Sequence, residues 1–276
     1  AFQDWKRRAR QSAQSCFFKN DFVIMHGTWK GFIVNNPNYS TIGQRILSLQ
    51  ERIAAKNARH VLAVSESCKE ELVKLCKLPA KKIKVLNNFV NENEFYPDLK
   101  KKHISDELVI LYSGALSIRK GFDRLLKLAK YIDENCATIK LKIATYSDNN
   151  TVEFCGLKNV ELYIGVNFSG MRDFYNQGDV LYFPSNYEGF SMATLEALAC
   201  GIPVIGSNYA VMEEVQKYDF TKVLDDFSPE NIIQSALTLR NKFAFQREKI
   251  HKIVAKDFGF EQYRKKLLTY IKESLI

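Results

Sequence analysis

The sequence predicts an α/β fold with parallel sheets in two domains, and three observations carry that prediction. Short apolar runs of strand length alternate with helical segments along nearly the whole chain, the pattern of βαβ units. The stretch Val180–Gly206 (VLYFPSNYEGFSMATLEALACGIPVIG) packs strand, loop, helix, turn and strand into about thirty residues, which closes only with its strands parallel. A chain of 276 residues can bury two modest cores, and the polar stretch His103–Glu107 separates two such alternations. The first domain is therefore placed at 1–105, the second at 106–258, and a terminal helix at 259–276.

The elements follow in order. Phe2–Phe18 spaces Phe2, Trp5, Ala9, Ala13 and Cys16 for one face of an amphipathic helix. Asp21–Met25 is a strand that runs into His26-Gly27-Thr28-Trp29. Gln44–Asn57 has helical spacing through Ile46, Leu49 and Ile53, and Val61–Val64 is a short buried strand. Ser65 or Ser67 caps a helix to about Lys77, with Ser67 and Glu70 at capping-box spacing, and Ile83–Leu86 is the next strand after Pro79. In the second half, strands are expected at Val109–Tyr112, Lys140–Thr145, Val160–Ile164, Val180–Phe183 and Val204–Ile205. Helices are expected at Phe122–Tyr131, Met171–Asn176, Ser191–Cys200, after Pro229 and at Phe260–Leu275.

Apolar content of 46% and charged content of 26% are those of a globular protein, and no apolar run approaches a membrane span. AFQDWKRRAR has no signal-peptide pattern, and six cysteines without CxxC or zinc spacing read as reduced core thiols of a cytosolic protein. The charge is lopsided. Residues 1–105 hold 19 Lys/Arg against 9 Asp/Glu, a net +10, and residues 106–276 hold 21 against 22, a net −1. The basic first part suits an anionic membrane face or an acidic acceptor; no nucleic-acid-binding motif accompanies it, so nucleic acid is not expected as a partner.

The chemistry concentrates in the Tyr187–Ser191 loop, beyond the carboxyl end of a strand, where ligands of parallel sheets sit. Gly189 permits close backbone approach, and Ser191 starts a helix whose N–H groups suit an anion such as phosphate. Glu188 and Glu196 flank that point; carboxylates repel a bare phosphate but suit sugar hydroxyls, so the expected ligand is a phosphate between sugars, a nucleotide sugar. A second phosphate-handling loop is Gly114–Gly121, with Lys120 as its cation.

Glu188-Gly189-Phe190-Ser191-Met192-Ala193-Thr194-Leu195-Glu196 resembles the E-x7-E motif of retaining GT-B glycosyltransferases of family 4. The continuation Ala197–Ile205 (ALACGIPVI) is similar to that family's usual one, and ARHVLAVSESCKEEL and KVLNNFVNENEFYP look like the second half of its acceptor domain. The resemblance implies two Rossmann-like domains facing a cleft, the N-terminal one shortened, and transfer of a sugar from a UDP- or GDP-linked donor to a glycan or lipid-linked acceptor. It implies that Glu188 contacts the transferred sugar and His26 lies near it. Glu196 would hold the ribose, the Phe190–Ala193 amides (Phe190, Ser191, Met192, Ala193) with Lys120 and Arg119 the diphosphate, and the backbone at Val166 the base. Thr28 and Trp29 are acceptor-side candidates. No metal or other cofactor is implied.

Two positions and one missing turn depart from the family pattern. Ala115 stands where the G-R-x4-K-G loop has arginine, and Arg119 is the candidate substitute. Phe89 replaces the glycine of an asparagine-glycine-valine-aspartate turn, and the Gly-rich turn that opens the family's N-terminal domain is missing. A fragment, a minimal acceptor domain and a partner chain that supplies the missing strands all stay open. So does a non-catalytic nucleotide-sugar-binding subunit. The expected location is cytoplasmic, with peripheral contact at an anionic membrane face.

Overall fold

The computed structural model describes residues 11–12, 20–100 and 106–274. By packing they divide into two units: Ala1–Asn88 with Glu188–Phe190 and Tyr263–Ile276, and Phe89–Tyr187 with Ser191–Gln262.

In the first unit β1 (Gln11–Ser12), β2 (Asn20–Met25), β3 (Ala58–Ala63) and β4 (Ile83–Val85) form a parallel sheet in that order. Gln11–Ser12 falls inside the stretch expected as a helix from Phe2 to Phe18 and pairs instead with Phe22 and Val23; the remainder of that stretch lies outside the described residues. Helices α1 (Trp29–Asn35) and α2 (Ile42–Asn57) cross from β2 to β3, and α3 (Glu66–Lys74) crosses from β3 to β4. The capping box forms at Thr41 and Gln44, not at Ser67 and Glu70. Ser65 caps α3 by accepting from the Cys68 amide at 3.0 Å, while Glu70 pairs with Lys74 one turn on. The core joins Phe22, Leu62 and Leu86 to Ile271, with Ile24, Tyr263, Leu267 and Tyr270 packed around them.

Helix α2 does not bury the stripe its spacing announces. Glu51, Ala54 and Ala55 face inward, and Ile46 and Leu49 are 54% and 56% exposed. The cause is local: the Glu51 carboxylate accepts from the Trp29 amide at the start of α1, at 2.7 Å, and the two alanines let the backbones approach.

The second unit carries β5 (Leu108–Ser113), α4 (Phe122–Asn135), β6 (Ile139–Thr145), β7 (Val160–Ile164), α5 (Phe168–Tyr175) and β8 (Val180–Phe183). After these come α6 (Met192–Ala199), β9 (Val204–Gly206), α7 (Glu213–Gln216), β10 (Thr221–Val223), α8 (Pro229–Phe243) and α9 (Arg247–Phe258); α10 (Phe260–Ser274) follows and from Tyr263 onward belongs to the first unit. Its six parallel strands run β10-β9-β8-β5-β6-β7, so the order reverses between β5 and β8. Such a reversal opens a crevice at the carboxyl ends of the two strands, which is where the Gly114–Gly121 and Pro184–Tyr187 loops begin. Every residue of β8 is buried, and α4 sets Leu125, Leu128, Ala129 and Ile132 into the core.

The division falls after Asn88, earlier than the boundary read at residue 105. Residues 89–98 already pack within the second unit: the Val90 amide donates to Phe258 at 2.9 Å, Phe95 meets Phe168 and Tyr175 edge-on, and the Asp98 amide donates to Asn176. Cys68, Cys76 and Cys200 are buried free thiols, but Cys136 is half-buried and Cys155 exposed, so the expectation of core thiols fails for those two.

Candidate active site

Two loops that the sequence singled out separately are braced onto each other in the second unit. The Asn186 amide and the Ser185 hydroxyl both donate to the Arg119 carbonyl, at 2.8 and 3.0 Å, and Asn186 Nδ2 donates to Ile118 at 2.7 Å. The Arg119 guanidinium returns a bond to the Tyr187 carbonyl at 3.3 Å. One arm of the expected diphosphate ligand thus holds the neighbouring loop. Tyr112 pins the loop from below, its hydroxyl donating to Ala115 at 2.8 Å. Gly121 has φ 76°, and a Cβ there would run into the Pro184 carbonyl, so only glycine closes this brace. Lys120 sets its ammonium over the Phe183 ring, 5.0 Å from the centroid. Gly114 has φ 152°, a second conformation suited to glycine.

Helix α6 starts at a buried hydroxyl pair. Ser191 accepts from the Thr194 amide; the Thr194 hydroxyl donates to Ala210 at 2.8 Å, which leaves the Ser191 hydroxyl to donate to Thr194 Oγ1. The Ser191 amide, expected to face a diphosphate, donates to Met212 Sδ at 3.0 Å. The amides of Met192 and Ala193 are the first two inside the helix, ahead of any intrahelical bond, and both residues are half-buried.

Glu196 lies one helical turn further along α6, where Tyr175 at the end of α5 donates its hydroxyl to Oε2 at 2.9 Å. Burial, offset in part by the tyrosine bond, pushes the Glu196 carboxyl up to about 7. Tyr175 has no exposed surface, so it holds the carboxylate from the interior side. Sequence reasoning missed Tyr175, and Met212 as well: neither belongs to a motif, and their bonds to Glu196 and Ser191 span 21 residues each. Val166 follows β7 and Gly165, whose φ is 70°, and Asn167 then caps α5.

The remaining candidates belong to the first unit. Glu188 and Gly189 are half-buried and Phe190 is buried. The Gly189 carbonyl accepts from Ser65 at 2.7 Å, and a Cβ on Gly189 would strike the His26 carbonyl. The close approach that requires this glycine is therefore to the His26–Gly27 backbone. His26 follows β2 at the surface, and partial desolvation of its ring holds its pKa below the usual histidine value. Thr28, an acceptor-side candidate, is a helix cap. It is 2% exposed, caps α1 through the Gly31 amide and donates to Glu71 at 2.6 Å. Trp29 is half-buried edge-on to Phe32. Among the described residues no cluster of three or more His, Cys, Asp or Glu is placed to hold a metal.

A parallel sheet whose loops meet at a strand-order reversal is the doubly wound α/β arrangement, in which ligands sit in the crevice at that reversal. The chain matches the family Glycosyl transferases group 1 over residues 97–242, more than half its length, and Glycosyltransferase Family 4 over residues 22–94. It belongs to the group 1 glycosyl transferases, with the GT-B fold. It is 30% identical over 192 residues to the uncharacterized glycosyltransferase MJ1607 of Methanocaldococcus jannaschii, 63% of this chain and 49% of that protein. The chain thus spans about half the length of that relative. Among solved structures, WaaG, a glycosyltransferase involved in lipopolysaccharide biosynthesis, matches with TM-score 0.74 at 16% identity, covering 96% of this chain and 79% of that one. Anabaena Alr3699/HepE, solved in complex with UDP-glucose, matches with TM-score 0.70 at 16% identity, covering 91% and 72%.

Proposed function

We propose that the chain is a retaining glycosyltransferase that moves a sugar from a UDP- or GDP-linked donor to a glycan or lipid-linked acceptor. The observation that carries this reading is Glu196: a carboxylate held by Tyr175 from within, one turn behind the α6 start. A carboxylate so fixed suits the paired hydroxyls of a ribose. Family membership and the UDP-glucose bound by HepE support the same donor class.

In this reading the Met192 and Ala193 amides and Lys120 take the leaving diphosphate. Helix start and ammonium neutralise its developing charge, so the reaction needs no metal ion. Glu188 contacts the transferred sugar, His26 lies on the same side, and the backbone at Val166 meets the base. The enzyme works in the cytoplasm, at an anionic membrane face where a lipid-linked acceptor is presented.

The test is titration calorimetry with UDP, GDP and ADP, followed by donor hydrolysis without acceptor. Binding of one nucleotide that Glu196→Gln weakens, with slow release of free sugar that Glu188→Ala abolishes, is the expected result. Binding without hydrolysis would make the chain a nucleotide-sugar-binding subunit completed by a partner chain. No binding of any nucleotide would remove the reading.

A further inference from the structure

We propose that the outward face of α2 is a docking surface for an anionic lipid layer, which deepens the membrane-face reading above by naming the surface that meets the membrane. Ile42, Ile46, Leu49 and Ile53 recur at helical spacing, so they share one side of α2. The first three are 79%, 54% and 56% exposed, and Ile53 is half-buried. A row of large aliphatic side chains turned to solvent is unusual on a stable surface, where apolar residues are normally scattered singly.

The charge beside the row selects the occupant. Arg45, Arg52 and Lys56 lie seven and four residues apart, along one flank of the stripe. Arg45 and Lys56 are exposed, and Lys30 and Val34 are exposed on α1, which packs on α2. The single acidic residue of α2, Glu51, is buried on the opposite side against the Trp29 amide. An aliphatic stripe with a cationic flank and no exposed acid is the pattern of a helix lying in the membrane interface: the aliphatic groups enter the headgroup–acyl boundary and the cations meet anionic headgroups. A second copy of the chain fits poorly, because a two-fold contact would set the same cations against one another.

The test is co-sedimentation of the full chain with phosphatidylcholine vesicles, with and without phosphatidylglycerol, at low and high salt. Wild type should pellet with the phosphatidylglycerol vesicles at low salt and be released at high salt. Ile46→Glu with Leu49→Glu should lower vesicle affinity by about tenfold or more. Arg45→Glu with Lys56→Glu leaves every aliphatic residue in place and should also weaken binding, so it decides the matter if the first pair unfolds by circular dichroism. Wild type left in the supernatant would overturn both the membrane-face reading and the surface. Charge-reversed protein that pellets like wild type would overturn the α2 surface alone. A wild-type dimer that the aliphatic substitutions dissociate would give the face to a second copy and overturn the lipid proposal.

Discussion

Helix α4 of the second unit buries Leu125, Leu128, Ala129 and Ile132 completely, whereas α2 of the first unit turns Glu51, Ala54 and Ala55 inward and leaves Ile42, Ile46 and Leu49 more than half exposed. Both sequences announce an amphipathic helix. The contrast teaches that periodicity reports a stripe and not the direction in which it faces. In α4 the stripe packs towards β6 and the Pro229–Phe243 helix α8. In α2 a carboxylate with a backbone partner and two small alanines outcompete the larger aliphatic groups for the inner side.

The sharpest way to break that comparison is Leu128→Ala. A fully buried leucine in a packed core should cost ~2–5 kcal/mol in chemical denaturation followed by circular dichroism. A loss below ~1 kcal/mol would mean that α4 is not packed as described.

The next effect concerns Glu196. Its folded-state pKa of about 7 lies above the ordinary carboxylate value, so the folded chain binds the extra proton. The associated stability is fully present below the unfolded value of ~4.5 and is lost as pH rises through about 7. Glu196→Gln should flatten that part of the pH–stability curve, a change of at most ~3 kcal/mol. An identical curve would show that the carboxyl titrates normally.

Tyr175→Phe removes a hydroxyl that favours the ionised form of Glu196 and should cost ~1 kcal/mol of stability. If the ionised form binds the nucleotide, the acid limb of binding should move to higher pH, as titration calorimetry across pH would register. A limb that stays in place would separate Tyr175 from the site.

Smallest is Leu49→Ala on α2. With its side chain more than half exposed, the substitution should stay within ~0.5 kcal/mol of wild type in the same denaturation experiment. A loss approaching that of Leu128→Ala would mean that the α2 stripe is covered in solution.

The legible parts of the chain were those in which one local rule acts alone. The strand–loop–helix–strand stretch around Ser191 was readable because strand length, turn residues and the helix stop at Gly201 all agree. Glu196 and Lys120 were singled out by pattern, a carboxylate inside the helix that Ser191 starts and a cation before Gly121 in a loop that follows a strand. The brace between Arg119 and the Ser185–Tyr187 loop was not, since it is made largely with backbone carbonyls that carry no sequence signal. The role of Thr28 as a cap was not legible, because a hydroxyl before a helix serves equally as a cap or as a ligand group, and its bonds to Gly31 and Glu71 appear only in the structure. The capping box moved from Ser67 to Thr41 for the same reason: spacing permits several caps, and backbone geometry chooses.

The contribution of α10 to the first unit has a consequence in time. Ile271 lies with Phe22, Leu62 and Leu86, and the Tyr270 hydroxyl donates to Val85 at 2.9 Å. A ribosome delivers the second unit's strands before it delivers these residues, so the first unit's sheet emerges ahead of that unit yet has its core completed after it. Vectorial synthesis ordinarily lets the leading domain fold ahead of the next. Here the leading sheet waits for the end of α10, and a release of the nascent chain short of Tyr270 leaves Phe22, Leu62 and Leu86 open to chaperones and proteases.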